Sequence, residues 1–283
     1  HRSQRQADAD LDLVGGGHLI RGLILAPVTY ALGRACSFLV GPEGRRLVET
    51  FGPPGAEVFD LGDGAPKTIG QALAGLAAGF DAVVIDNYRL DSVQEGPLMA
   101  RGVWTVVVDD LADRAHRCDL LIDPSFARRA EDYAGLVAEG AVVLAGVDYA
   151  PLRPGFAALR AAAQARRDGR PVEQVLVSLG LTDLGGITAR VAETVLPMLG
   201  ETRLDVVVGE GARSLERLKA LGHDDPRIRL HVDATDVERL MLEADAAIGA
   251  GGSTTWERAC LGLPSLTVVL ADNQGVQSRA LAE

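Results

Sequence analysis

Two short stretches of the sequence gather side chains able to do chemistry. In the first, Val14-Gly15-Gly16-Gly17-His18-Leu19-Ile20-Arg21, three glycines run into a histidine and then an apolar segment. Glycines let the backbone turn tightly and leave open space above it. His18 then stands in the first turn of a helix whose free N–H groups point into that space. A functional imidazole and a plain strand-to-helix turn with His18 as an incidental cap both fit this stretch. In the second, Gly249-Ala250-Gly251-Gly252-Ser253-Thr254 ends a short apolar run, and Glu257 follows one helical turn beyond Ser253. Bare N–H groups, two hydroxyls and the positive end of a helix make a seat for a phosphate or pyrophosphate without a lysine. Ser253 and Thr254 are natural N-caps. Glu257 has two readings, acceptor for the two hydroxyls of a ribose or partner of Thr254 in a capping box.

The spacing excludes some chemistries. No G-x-G-x-x-G with an acid about 20 residues on is present, which argues against a nicotinamide cofactor, and no G-x-x-x-x-G-K-[ST] loop exists. No His, Cys, Asp and Glu cluster has metal-ligand spacing, and the Asp-x-Asp at Asp8-Ala9-Asp10 is read as incidental. Neither a cofactor nor a metal is expected.

The elements that must position these loops are legible as apolar runs. Strands are predicted over 36–40, 57–61, 82–86, 104–109, 120–123 and 142–145, then over 174–179, 203–208, 228–232, 246–248 and 266–270. Helical segments are predicted over 68–78, 127–139, 187–199, 213–221, 237–243 and 254–261. The helix that begins at His18 should end or kink at Pro27. Alternating strands and helices with near-continuous apolar strands imply parallel sheets covered on both faces. Two such series predict two doubly wound domains. A polar helical segment, 153–170, closes before Pro171, which places the boundary at 170. In such folds ligands sit at the carboxyl ends of strands, where glycine loops lead into helices. Three loops qualify, 15–18, 178–186 and 249–253, and a cleft between the domains is expected to bring them together.

Composition sets the class. The chain has 283 residues, 47% hydrophobic and 4% aromatic, with a formal net charge of −11. That acidity argues against nucleic acid as the main partner. No run of about 18 apolar residues is present to span a membrane. The first ten residues lack the apolar core of a signal peptide. Cys36, Cys118 and Cys260 form no C-x-x-C pair, which fits a reducing compartment. A cytoplasmic monomer is expected.

At the second glycine loop a resemblance becomes specific. The segment from Gly249 to Gln274, GAGGSTTWERACLGLPSLTVVLADNQ, looks like the nucleotide-sugar loop of the glycosyltransferase-B (GT-B) superfamily. It is most similar to the UDP-sugar hydrolases of pseudaminic acid biosynthesis, which act on UDP-2,4-diacetamido-2,4,6-trideoxy-β-L-altropyranose. GGGHLIR at the start, VVIDNYRLD, VVVDDLADRAHRCDLLID, YAPLRPGFAALR and VLVSLGLTD agree in the same order. The lipid II-forming N-acetylglucosaminyltransferase shares the glycine–histidine loop and the Gly-Gly…Glu…Gly-Leu-Pro loop, but is not expected to carry DDLADRAHRCDLLID. The resemblance implies two Rossmann-like domains in the GT-B arrangement, 1–170 with the catalytic histidine loop and 171–283 binding UDP. Relatives continue past the position of Glu283, so the second domain is expected to be incomplete.

Residue roles follow from the resemblance. His18 takes the place of the family's general base, and an imidazole titrates near working pH. Arg21 matches an arginine near the sugar, and Tyr88 and Asn273 match residues that contact it. Glu257 matches the ribose-binding carboxylate, with Gly252, Ser253 and Thr254 beneath the diphosphate. The implied reaction is attack of water on the anomeric carbon, with inversion and departure of UDP. A UDP-sugar glycosyltransferase and a catalytically silent nucleotide-sugar-binding protein are the alternatives.

Overall fold

β-Branched, apolar runs pair most readily in the buried strands of parallel sheets, and each of the eleven predicted strands forms within two residues of its expected ends. The computed structural model describes residues 17–62, 64–167 and 169–283. Asp8, Asp10, Gly15 and Gly16 lie outside the described residues. The contacts divide the chain into two units, His18–Pro151 and Leu152–Ala282.

In the N-terminal unit, helix α1 (Gly17–Ala31) leads to a parallel pair, β1 (Ser37–Val40) and β2 (Glu57–Asp60), linked by α2 (Pro42–Phe51). After α3 (Pro66–Leu76) come β3 (Ala82–Ile85), α4 (Ser92–Met99), β4 (Trp104–Val108), β5 (Leu120–Asp123) and β6 (Val142–Ala145). These four strands pair in parallel in chain order, Val84 beside Val106, Val107 beside Leu121 and Leu121 beside Val143. Ile85, Val107 and Leu121 bury against Ile69 and Leu98 of the covering helices.

Three helix expectations change. α1 continues past Pro27 to Ala31 instead of ending there. α2 and α4 went unread: α2 opens on a proline, which suits the first helical position, and α4 on an Asp91–Gln94 capping box. The helix expected over 127–139 is only a short 3-10 turn, Ala130–Tyr133. Ala127 at φ +62° and Gly135 at φ +78° break the helical path on either side, and Tyr133 turns fully inward.

The C-terminal unit comprises α5 (Pro154–Arg166), β7 (Gln174–Ser178), α6 (Ile187–Val195), β8 (Arg203–Val208), α7 (Leu215–Asp224), β9 (Ile228–Val232), α8 (Val237–Glu243), β10 (Ala246–Ala250), α9 (Thr254–Cys260), β11 (Ser265–Val268) and α10 (Asp272–Ala282). Its five parallel strands stand in the order β11-β10-β7-β8-β9. The chain builds outward from β7 to β9, then crosses back to β10, so the topology switches between β7 and β10. Successive residues of β7 feed opposite cores, as the period-2 pleat dictates. Val175 and Val177 join Leu204, Val206 and Leu218, while Leu176 joins Phe156, Met241 and Leu261. That second core corrects the expected boundary at 170. α5 belongs to this unit, because Phe156 and Ala163, both fully buried, pack into it.

Candidate active site

His18 stands in the first turn of α1, and Arg21 one turn later falls on the same face. Both meet Asp86, the residue that follows β3. The His18 Nδ1 pairs with Asp86 Oδ1 in a very short contact. Arg21 grips the same carboxylate with two bonds, Nε to Oδ2 at 2.6 Å and Nη2 to Oδ1 at 2.7 Å. Arg21 Nη1 reaches Asp110 Oδ2, beyond β4, at 3.1 Å, and the Tyr88 hydroxyl donates to Asp110 Oδ1 at 2.6 Å. The His18 and Tyr88 rings pack edge to face, centroids 4.4 Å apart. Three sequence-predicted residues, His18, Arg21 and Tyr88, thus come together around two carboxylates that sequence patterns did not single out.

Asp86 and Arg21 hold each other charged beside the His18 ring. Burial works to raise the Asp86 carboxyl, but the Arg21 guanidinium and the His18 hydrogen bond overrule it and hold Asp86 below the usual carboxylate range. Burial likewise opposes charge on Arg21, and Asp86 overrules it, pushing Arg21 upward. An ionised Asp86 only accepts, so Nδ1 carries the hydrogen it donates. Arg21 Nη2, which carries two hydrogens and donates one to Asp86 Oδ1 at 2.7 Å, also lies 2.8 Å from the same nitrogen. In the neutral ring with its hydrogen on Nδ1, the lone pair sits on Nε2.

Asp110 owes its position to a buried polar network behind it. Its neighbour Asp109, fully buried, accepts the Ala112 amide at 2.9 Å, the Tyr133 hydroxyl at 2.9 Å, and pairs with Arg114 at 2.8 Å. Tyr133 also reaches Asp123 at 2.8 Å, and His116 pairs with Glu95 at 2.8 Å. The segment from Asp109 to Asp123 is therefore scaffold, with Asp110 as its one side chain turned to His18's neighbours.

In the C-terminal unit the loops that end β7 and β10 flank the topological switch, where open parallel sheets bind ligands. The β7 loop is held by hydrogen bonds to one carboxylate. Asp183, at φ +47° and fully buried, accepts the Thr188 amide at 2.9 Å and hydroxyl at 2.6 Å, together with the Ser214 amide and hydroxyl. The β10 loop is shaped by Arg258, whose Nη2 donates to the Ala250 carbonyl at 2.9 Å and whose Nη1 donates to Thr254 at 3.1 Å. A Cβ on Gly249 would lie 2.2 Å from Arg258 Nη1, and one on Gly251 2.7 Å from Ser278 Oγ. Those two glycines answer to the protein's own packing. Of the three, Gly252 faces open room, a Cβ there meeting only Gln274 Nε2 at 3.9 Å. Burial lowers Arg258 to about 10, against the pull of Glu257.

Both cap expectations fail. Ser253 occupies the N-cap position of α9, but its side chain makes no capping hydrogen bond to the described residues. The Thr254 hydroxyl accepts from Arg258 instead. Glu257 does not box with Thr254; it is buried, and its Oε1 accepts from Arg153 Nη2 at 3.0 Å. Burial raises the Glu257 carboxyl, with Arg153 pulling the other way. Its Oε2 takes no hydrogen bond from the described residues. Asn273 lies exposed in the first turn of α10. Among the described residues no group of three or more His, Cys, Asp or Glu is placed to hold a metal ion, and no helix is long and apolar enough to cross a membrane.

No family model matches the chain. It is 24% identical over 273 residues, 95% of this chain and 92% of the relative, to the UDP-2,4-diacetamido-2,4,6-trideoxy-beta-L-altropyranose hydrolase of Campylobacter jejuni. Over 140 residues, 49% of this chain and 40% of the relative, it is 29% identical to the spore coat polysaccharide biosynthesis protein SpsG of Bacillus subtilis. Among solved structures, Acinetobacter baumannii MurG matches with a TM-score of 0.57 at 17% identity, covering 95% of this chain and 81% of that one. The Staphylococcus aureus MnaA–UDP structure matches at 0.56 and 12% identity, covering 93% and 85%. The chain has the GT-B fold and resembles, over nearly its whole length, a UDP-diacetamido-trideoxyhexose hydrolase.

Proposed function

We propose that the chain hydrolyses a UDP-linked 2,4-diacetamido-2,4,6-trideoxyhexose in pseudaminic acid biosynthesis, by attack of water on the anomeric carbon. The observation that carries this reading is the pairing of His18 Nδ1 with Asp86, which leaves Nε2 as the basic atom of the ring. The near-full-length similarity to a hydrolase of such a sugar supports the substrate class. His18 Nε2 takes a proton from the water as its oxygen bonds to C1. The C1–O bond breaks, and its electrons leave with the UDP. Asp86 holds the ring in the productive tautomer and faces the imidazolium that forms. UDP is a good leaving group whose negative charge suits Gly252 and the amides at Ser253 and Thr254. Glu257 accepts the ribose hydroxyls, while Arg21, Tyr88 and Asn273 address the sugar.

A paired acid is unnecessary, unlike in most glycosidases, because the leaving group already departs as a stable anion. The reading is tested by incubating the purified chain with the UDP-sugar and no acceptor. Free sugar and UDP are expected in equal amounts. UDP release only when a second sugar or lipid acceptor is added would make the chain a transferase, and binding without turnover would make it a silent binder.

A further inference from the structure

Glu257 is an unusual carboxylate for a buried position. Its side chain is 5% exposed, and only one of its two oxygens is engaged. Oε1 takes one bond from Arg153, whereas Oε2 takes none from the described residues. Burying a charge with open acceptor sites is costly unless a donor completes it. Three charged groups face it. Arg153, just before α5, is 3.0 Å away; Arg258 is its neighbour on α9; and Glu238 of α8 lies 3.5 Å from the Arg153 guanidinium. Arg258 spends its hydrogen bonds on Ala250, Thr254 and Thr255, so Arg153 is the cation that touches Glu257. Arg153 is itself braced, its guanidinium lying 5.1 Å from the centre of the Phe156 ring. Its 30% exposure places it on the solvent side of the pair.

We propose that Arg153 is a positioning residue that keeps the buried Glu257 side chain ionised and oriented, with Oε2 open to accept a ribose hydroxyl. This rests on the reading of Glu257 as the ribose acceptor and adds the residue on which that role depends. A carboxylate has about four acceptor sites, and one bond from Arg153 leaves enough for a vicinal diol. A protonated carboxyl has fewer and would present a donor of its own. Burial already raises Glu257, and Arg153 opposes that rise. Removing Arg153 therefore lets protonation advance toward neutral pH, so affinity for a ribose is lost as pH falls.

The experiment is calorimetric titration of the full chain with uridine between pH 6 and pH 8, for the unsubstituted protein, Arg153→Met, Arg153→Lys and Glu257→Gln. The unsubstituted protein and Arg153→Lys are expected to hold affinity constant within about twofold over this range. Arg153→Met is expected to bind about tenfold more weakly at pH 6 than at pH 8. Glu257→Gln is expected to be weak at every pH. If Arg153→Met folds poorly, Arg153→Gln removes the charge while keeping length and hydrogen bonding, and the same profile is read on it. A flat profile for the charge-removed variant, with Glu257→Gln still weak, overturns the role of Arg153 alone. Normal uridine affinity in Glu257→Gln overturns the ribose reading itself, and the proposal with it.

Discussion

Replacing His18 by alanine is expected to lower turnover of the UDP-sugar by roughly 10²–10⁴-fold while UDP affinity stays within about twofold. On the proposed reading the loss falls on the chemical step, because the imidazole is the group assigned to take a proton from water. No other described side chain near Asp86 has that capacity, since Arg21 is held protonated and Asp110 is engaged by Arg21 and Tyr88. Steady-state kinetics beside UDP calorimetry checks the split. Near-normal turnover in His18→Ala would reduce the histidine to a helix-end residue.

Asp86→Asn should affect both chemistry and stability. The amide keeps the shape of the side chain but no longer obliges Nδ1 to carry the proton, and turnover is expected to fall on the order of 10³-fold. It also strips Arg21 of its two-bonded partner inside the protein. Removing one member of a buried ion pair costs about 3 kcal/mol, because the other charge is left buried. Asp110 remains at 3.1 Å and offsets only part of this. Asp86 is depressed in the folded state, so its contribution is fully present above its unfolded pKa of about 3.9 and is lost as pH falls through the lower folded value. Urea midpoints of the protein and the variant should differ most above about pH 4 and converge in stronger acid. A constant gap across that range would mean the Asp86–Arg21 pair contributes no charge-dependent stability.

The sheets were legible because buried parallel strands need apolar residues on both faces, and runs such as Val106–Val108 and Val175–Val177 have no other ready use. His18, Arg21 and the Gly249–Gly252 loop were legible for a related reason: glycines before a histidine or a hydroxyl pair leave a local pattern. Asp86 and Asp110 left none. Each is an ordinary acid following a strand, and its meaning lies in Arg21, 65 and 89 residues away. The available signal was position, since both follow the carboxyl ends of adjacent strands, where parallel sheets place their chemistry. The pairing of Arg153 with Glu257 spans 104 residues and was invisible for the same reason. The false helix over 127–139 had helix-forming residues at most positions, with Gly135 the exception. Its fate was settled by Tyr133, whose hydroxyl is worth more bonded to Asp109 and Asp123 inside than exposed on a helix face.

The most direct test of the central claim is turnover in ¹⁸O-labelled water. If His18 Nε2 activates water against C1, the bond that breaks is sugar C1–O. The label must then appear in the released sugar, UDP must leave unlabelled, and the first anomer seen by NMR must be inverted relative to the substrate. Label in UDP would mean attack at phosphorus, and neither His18 as the base nor Asp86 as its partner could then stand.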